Sequence, residues 1–185
     1  MLPIFELLWA FVMTLILIVV DSIKALLPAS MLPQKDLQGQ TVLVTGAGSG
    51  IGRLLSLRFA KLGCSLVLWD INPEGNEETA TQARESGVSV HTYVVDLSNR
   101  EDVYRVADQV KQDVKKVDVL VNNAGIVTGR KFLHCSDNMI QKTMDVNISA
   151  HFWTIKAFLP TMMKQNKGHV VSMASAAGCS GVTGR

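Results

Sequence analysis

Cysteine is scarce in these 185 residues: Cys64, Cys135 and Cys179 are odd in number, widely spaced and contain no CxxC. That excludes a disulfide framework and fits a reducing compartment. An excess of one charge is also lacking. Lys and Arg number 18 against 16 Asp and Glu, and the resulting +2 is too near balance for a nucleic-acid binder. With only 5 prolines, 18% charged residues and 48% apolar residues, the chain is neither disordered nor collagen-like. The four histidines, His91, His134, His151 and His169, show no ligand spacing such as HxxxH, so no metal site is expected. Tyrosine occurs only as Tyr93 and Tyr104. No internal repeat appears, and the length allows one domain plus an extra segment.

The mean hydropathy of +0.23 is high for a soluble domain, and its cause is local. From Leu2 to Val20, only Pro3, Glu6 and Thr14 interrupt an apolar run. As a helix this run reaches roughly 28 Å, close to the hydrocarbon thickness of a bilayer. A signal peptide would need a basic n-region, yet no Lys or Arg precedes Lys24. A buried core helix is the other alternative, but the segment lies outside the fold read below. Residues 1–24 are therefore read as a membrane anchor and 25–37, with Pro28 and Pro33, as an interfacial linker. Lys24 and Lys35 follow the apolar run, which places the rest of the chain in the cytosol.

Residues 38–185 alternate between strand and helix patterns. Apolar, β-branched runs at Thr41–Thr45, Ser65–Asp70, Val88–Val95, Val117–Val121 and His169–Met173 read as buried parallel strands. Helical periodicity fills the gaps at Ile51–Leu62, Glu74–Ser86, Glu101–Lys116 and Asp137–Lys164, with Ser136 as an N-cap. Lys111, Lys115 and Lys116 read as a solvated helix face. The order implies a Rossmann-like, doubly wound parallel α/β sheet.

Between the first strand and the first helix stands Thr45-Gly46-Ala47-Gly48-Ser49-Gly50-Ile51-Gly52. Glycines here let the backbone approach a pyrophosphate, and the helix N-terminus offers free N–H groups and the positive end of its dipole. Gly46, Ser49, Gly50, Ile51 and Gly52 are the candidate phosphate contacts. Asp70, at the end of the second strand, is placed to accept hydrogen bonds from an adenosine ribose. It would repel a 2′-phosphate, and neither the glycine loop nor the three residues after Asp70 carry Arg or Lys. NAD is therefore expected rather than NADP.

The spacing TGxxxGIG, with Asp96 ending the third strand, Asn122-Asn123-Ala124-Gly125 after the fourth, Asn147 in Asp145-Val146-Asn147, and Ser175 in Ser175-Ala176-Ala177-Gly178, resembles the short-chain dehydrogenase/reductase family. Together with the apolar N-terminus it is most similar to the branch of membrane-bound retinol and hydroxysteroid dehydrogenases, the epidermal retinol dehydrogenase group in particular. The resemblance implies that Asp96 and Leu97 meet the adenine, and that Asn123, Ala124 and Gly125 brace the sheet beside the cofactor. It further implies that Asn147 belongs to a proton relay and that Ser175, rather than Ser172, binds the substrate oxygen. The substrate would be a lipophilic alcohol or ketone, and the location an endoplasmic reticulum membrane or lipid droplet.

The family's proton-transfer Tyr and Lys form a YxxxK motif, due just beyond Arg185. Four positions after Tyr93 and Tyr104 stand Leu97 and Asp108, so neither tyrosine substitutes. The principal dimer helix would also lie beyond the end, and a family-type homodimer is not expected of these residues. Two functions are therefore carried forward: an NAD-dependent oxidoreductase by lineage, and for these residues alone a nucleotide-binding or membrane-tethered scaffold without turnover.

Overall fold

The computed structural model describes residues 4–27 and 35–179; most of the 25–37 linker, including Pro28 and Pro33, lies outside them. Contacts divide the chain into two units, Met1–Asp36 and Leu37–Arg185.

In the first unit, helix α1 runs from Ile4 to Leu26 with no buried residue. Thr14, Asp21, Ser22 and Lys24 turn back onto their own helix. The Thr14 hydroxyl donates to the Ala10 carbonyl at 2.8 Å and Ser22 to Ile18 at 2.7 Å, while Lys24 pairs with Asp21 at 3.1 Å. The helix is long and apolar enough to cross a membrane.

The second unit is a five-stranded sheet in the order β3-β2-β1-β4-β5, with every pairing parallel. The strands are β1 (Thr41–Thr45), β2 (Ser65–Asp70), β3 (Val90–Val94), β4 (Val119–Asn122) and β5 (His169–Ser172). Helices α2 (Gly50–Lys61), α3 (Pro73–Arg84), α4 (Arg100–Val114), α5 (Asp137–Met144) and α6 (Ala150–Lys164) complete the unit.

Successive strand residues face opposite sides, so each strand feeds two cores. Leu43, Val67, Trp69 and Leu120 pack with Val103, Val110 and Phe158 from α4 and α6. Val42, Val44, Leu66 and Leu68 pack with Ala60, Ala80 and Ala83 from α2 and α3. Burial on both faces is why the strands read as continuous apolar runs. Tight exits keep the helices short: Gly63 and Gly87 both take φ near +76° directly after α2 and α3.

Two details depart from the sequence reading. The helix expected over Asp137–Lys164 is interrupted by a wide π-turn at Asp145–Ser149, which separates α5 from α6. Lys116 is exposed as expected but does not lie on a helix face. Helix α4 ends at Val114, Lys115 takes φ +66°, and the Lys116 ammonium, still exposed, pairs with the buried Asp118 carboxylate at 3.0 Å.

Candidate functional site

Strand β1 lies between β2 and β4, and the crossovers leave it in opposite directions, which opens a crevice at the carboxyl ends of the strands. A cleft of about 520 Å³ occupies this position. Gly46, Ser49, Gly50, Ile51, Gly52, Asp70, Asp96, Leu97, Asn123, Ala124 and Gly125 all line it. Residues drawn from four separate strand ends thus share one wall.

The glycines are dictated by the space. A Cβ on Gly52 would lie 1.9 Å from the Gly46 carbonyl oxygen, and one on Gly46 would lie 2.8 Å from the Ala124 Cα. At these two positions backbone packs on backbone with no volume for a side chain, whereas Gly50 has open space around it and takes φ +52°. Thr45, buried at the end of β1, fastens the loop to β4: its hydroxyl accepts the N–H groups of Asn123 and Ala124 at 3.0 and 3.1 Å. The Asn123 amide in turn donates to the Thr45 carbonyl at 2.9 Å.

Asp70 is fixed from two sides. One carboxylate oxygen accepts the Gly48 N–H at 2.7 Å and the other accepts the Asn72 N–H at 2.8 Å. Asn72 caps α3 by accepting from Glu74 and Gly75, with Pro73 at the first helical position. A carboxylate offers about four acceptor positions, so two remain for hydroxyl donors. Beside it, two residues past the end of the neighbouring strand β3, Asp96 accepts from the Ser98 hydroxyl at 2.6 Å and the Ser98 N–H at 2.9 Å. The Ser98 hydroxyl, then its N–H and the Lys142 ammonium, outweigh partial burial and hold Asp96 below the usual carboxylate range.

The lining also contains Ile71, Val95, Ile126, Lys142 and Val146, which the sequence reading did not name. Ile71, Val95 and Ile126 each adjoin a named motif, so widening the motifs by one residue would have found them. Val146 likewise adjoins Asn147, whereas Lys142 carries no such signal. Asn147 and Ser175 are not among the lining residues. Both polar atoms of the Asn147 amide are engaged by Ile126, accepting its N–H at 2.8 Å and donating to its carbonyl at 2.9 Å. Ser175 is exposed after β5, and its carbonyl accepts the Gly178 N–H at 3.0 Å.

The two tyrosines lie elsewhere. Tyr93 donates to Asp113 at 2.7 Å, and burial together with that carboxylate pushes its phenol upward. Tyr104 stands edge-on to Trp153. Among the described residues no cluster of His, Cys, Asp or Glu could hold a metal ion.

A doubly wound sheet whose first βα turn is a tightly packed glycine-rich loop, with a fixed carboxylate at the next strand end, defines a dinucleotide-binding class of domain. Residues 40–185 match the family described as short chain dehydrogenase, and the chain belongs to that family. It is 60% identical over 163 residues to epidermal retinol dehydrogenase 2 of Homo sapiens, covering 88% of this chain and 52% of that protein. It is 56% identical over 145 residues to estradiol 17-beta-dehydrogenase 11 of Pongo abelii, covering 78% and 48%. The chain thus spans about half the length of these curated relatives.

Among solved structures, a short-chain dehydrogenase/reductase from Burkholderia phymatum in complex with NAD superposes with a TM-score of 0.77 at 32% identity, covering 82% of this chain and 54% of that one. A metagenomic short-chain oxidoreductase in complex with NADP gives 0.75 at 29% identity, covering 80% and 67%.

Proposed function

We propose that this chain forms the nucleotide-binding half of an NAD-dependent dehydrogenase that oxidises a lipophilic alcohol, such as retinol or a hydroxysteroid, at a membrane. The observation that carries this reading is Asp70, held between Gly48 and Asn72 with acceptor capacity left in the cleft.

The residues present fit the cofactor. Gly46 and Gly52 leave no room for a side chain at the turn, and the N-terminal turn of α2 with Ser49, Gly50, Ile51 and Gly52 offers backbone N–H groups to a pyrophosphate. Asp70 holds the adenosine ribose, and Asp96 and Leu97 hold the adenine. Asn123, Ala124 and Gly125 form the floor. When bound, the nicotinamide supplies the hydride acceptor. Asn147 keeps the Ile126 backbone in place beside that floor, and Ser175 orients the substrate oxygen. Asp70 disfavours a 2′-phosphate by charge, the basis for preferring NAD over NADP.

The division of the chain into a membrane anchor at 1–24, a linker at 25–37 and a nucleotide-binding domain at 38–185 is part of the same proposal. An exposed apolar α1 suits a cytosol-facing domain on the endoplasmic reticulum or a lipid droplet, where a lipophilic alcohol concentrates. Titration of the full chain in detergent micelles with NADH, read by nucleotide fluorescence, tests the site. Saturable binding that Asp70→Ala weakens is the expected result, and no binding overturns it.

A second reading is favoured by the tyrosines. Tyr93 is occupied by Asp113, Tyr104 packs on Trp153, and neither is followed four positions later by Lys. These 185 residues would then bind nucleotide without turning over alcohol. Retinol oxidation by this chain alone would exclude that second reading.

A further inference from the structure

A cation that is not among the residues lining the cleft holds the glycine loop. Arg53, on the first turn of α2, aims its guanidinium back over the loop. One terminal nitrogen donates to the Gly48 carbonyl at 2.6 Å, and Nε donates to the Thr79 hydroxyl at 3.0 Å. The same terminal nitrogen pairs with Glu78 at 2.8 Å and reaches the Gly75 carbonyl at 3.4 Å. Gly48 is thereby gripped on both sides of one residue, its N–H by Asp70 and its carbonyl by Arg53. Lys142, the cation among the lining residues, stands with Asp96.

We propose that Arg53 is a specificity-determining residue of the nucleotide site, kept from serving a 2′-phosphate by its pairing with Glu78. The proposal rests on the reading of Asp70 as the ribose acceptor. The two carboxylates of Asp70 and Glu78 outnumber the single guanidinium beside the ribose position. The Arg side chain is only partly exposed and its hydrogen bonds run to α3 and the loop, so the cation acts as a strut. Thr79 shares the task, since its hydroxyl donates to the Ala47 carbonyl at 2.9 Å. Removing the Glu78 charge while keeping its shape leaves the strut in place and makes the guanidinium available to an added phosphate.

The test is the ratio of NADPH to NADH dissociation constants for the full chain in detergent micelles, measured by nucleotide fluorescence. Glu78→Gln is expected to lower that ratio about three- to fivefold, the scale of one partly exposed charge pair. The change should fall on NADPH, with NADH affinity unaltered. Adding Arg53→Met to Glu78→Gln should cancel the gain, whereas adding Arg53→Lys should retain much of it. Circular dichroism of each variant verifies the fold.

An unchanged ratio in Glu78→Gln overturns the proposal while leaving Asp70 in place. An equal gain in the Glu78→Gln, Arg53→Met pair also overturns it, because loss of one acidic charge would then suffice without the guanidinium. Failure of the unmodified chain to bind either nucleotide overturns both this proposal and the site reading beneath it.

Discussion

The Asp70 carboxylate accepts the backbone N–H of Gly48 at 2.7 Å, tying the end of β2 to the crest of the loop that follows β1. The contact leaves Gly48 no room for a side chain, since a Cβ there would lie 2.9 Å from the carboxylate carbon. One acidic residue thus shapes the loop and presents acceptors to the cleft. Asp70→Ala should therefore weaken NADH binding by about tenfold or more, the scale of lost hydrogen bonds to a charged group. NADPH should lose less, so the ratio of the two dissociation constants narrows. Fluorescence titration with both nucleotides checks this, and equal losses would remove Asp70 from the ribose site.

Gly52 and Gly87 provide a contrast between lost space and lost conformation. A Cβ on Gly52 meets the Gly46 carbonyl at 1.9 Å, whereas one on Gly87 meets nothing within 4 Å and is disfavoured only by its φ of +76°. Gly52→Ala should cost about 3 kcal/mol or more and abolish nucleotide binding. Gly87→Ala should cost about 1 kcal/mol and leave binding unchanged. Urea midpoints for both variants compare the cost of lost space at Gly52 with that of backbone conformation at Gly87.

The strands and the cleft residues were legible because their patterns are local. TVLVT is β-branched and apolar because both faces of β1 are buried, and the glycine loop must stand directly behind it. What sequence could not supply depends on long-range contact. Arg53 reads as one more polar residue on α2 until α3 brings Glu78 and Thr79 beside it. Lys116 reads as a helix-face cation until Val114 ends α4 and Asp118 turns up inside. The π-turn at Asp145–Ser149 carries no periodicity signal of its own. Its Asn147 is pinned by the backbone of Ile126, 21 residues away in sequence.

That pin leads to a third expectation. Asn147→Ala leaves both the N–H and the carbonyl of Ile126 without their present partners. Hydrogen exchange at the Ile126 amide should accelerate, and NADH affinity should fall a few-fold through loosening of the neighbouring Gly125. Asn147→Asp keeps the acceptor for the N–H but loses the donor to the carbonyl, so it should retain amide protection better than Ala. Unchanged exchange in Asn147→Ala would show that the amide does not hold this segment.

Helix α1 exposes an apolar surface along its whole described length, and its hydroxyls are internally satisfied. Inserted in hydrocarbon, such a helix leaves no backbone hydrogen bond unmade. Carbonate washing should leave the intact chain in the membrane pellet, while a chain lacking residues 1–24 should appear in the supernatant or aggregate. Extraction of the intact chain by carbonate would show that α1 does not insert.

Asp118 should govern acid stability in the second unit. Its side chain is buried; one oxygen accepts the Thr41 N–H at 2.9 Å and the other the Lys116 ammonium at 3.0 Å, joining the starts of β1 and β4. Burial alone would raise its pKa, but the Thr41 N–H and the ammonium groups of Lys116 and Lys167 outweigh it and hold the carboxyl below the usual range. A carboxylate more acidic in the folded state than in the unfolded state stabilises the fold above the unfolded pKa, near 4. That contribution disappears as pH falls through the lower, folded value. Urea midpoints of the native chain should therefore decline below about pH 5. Asp118→Asn places an amide against two donors, only one of which its oxygen can accept, and should cost about 2 kcal/mol at neutral pH. Its acid limb should be shallower than that of the native chain, because one of the groups that must take up a proton is gone. Asp96 and Glu77, also held low, keep that limb from vanishing. Parallel acid limbs for the two proteins would show that the Thr41–Asp118–Lys116 link contributes nothing that depends on charge.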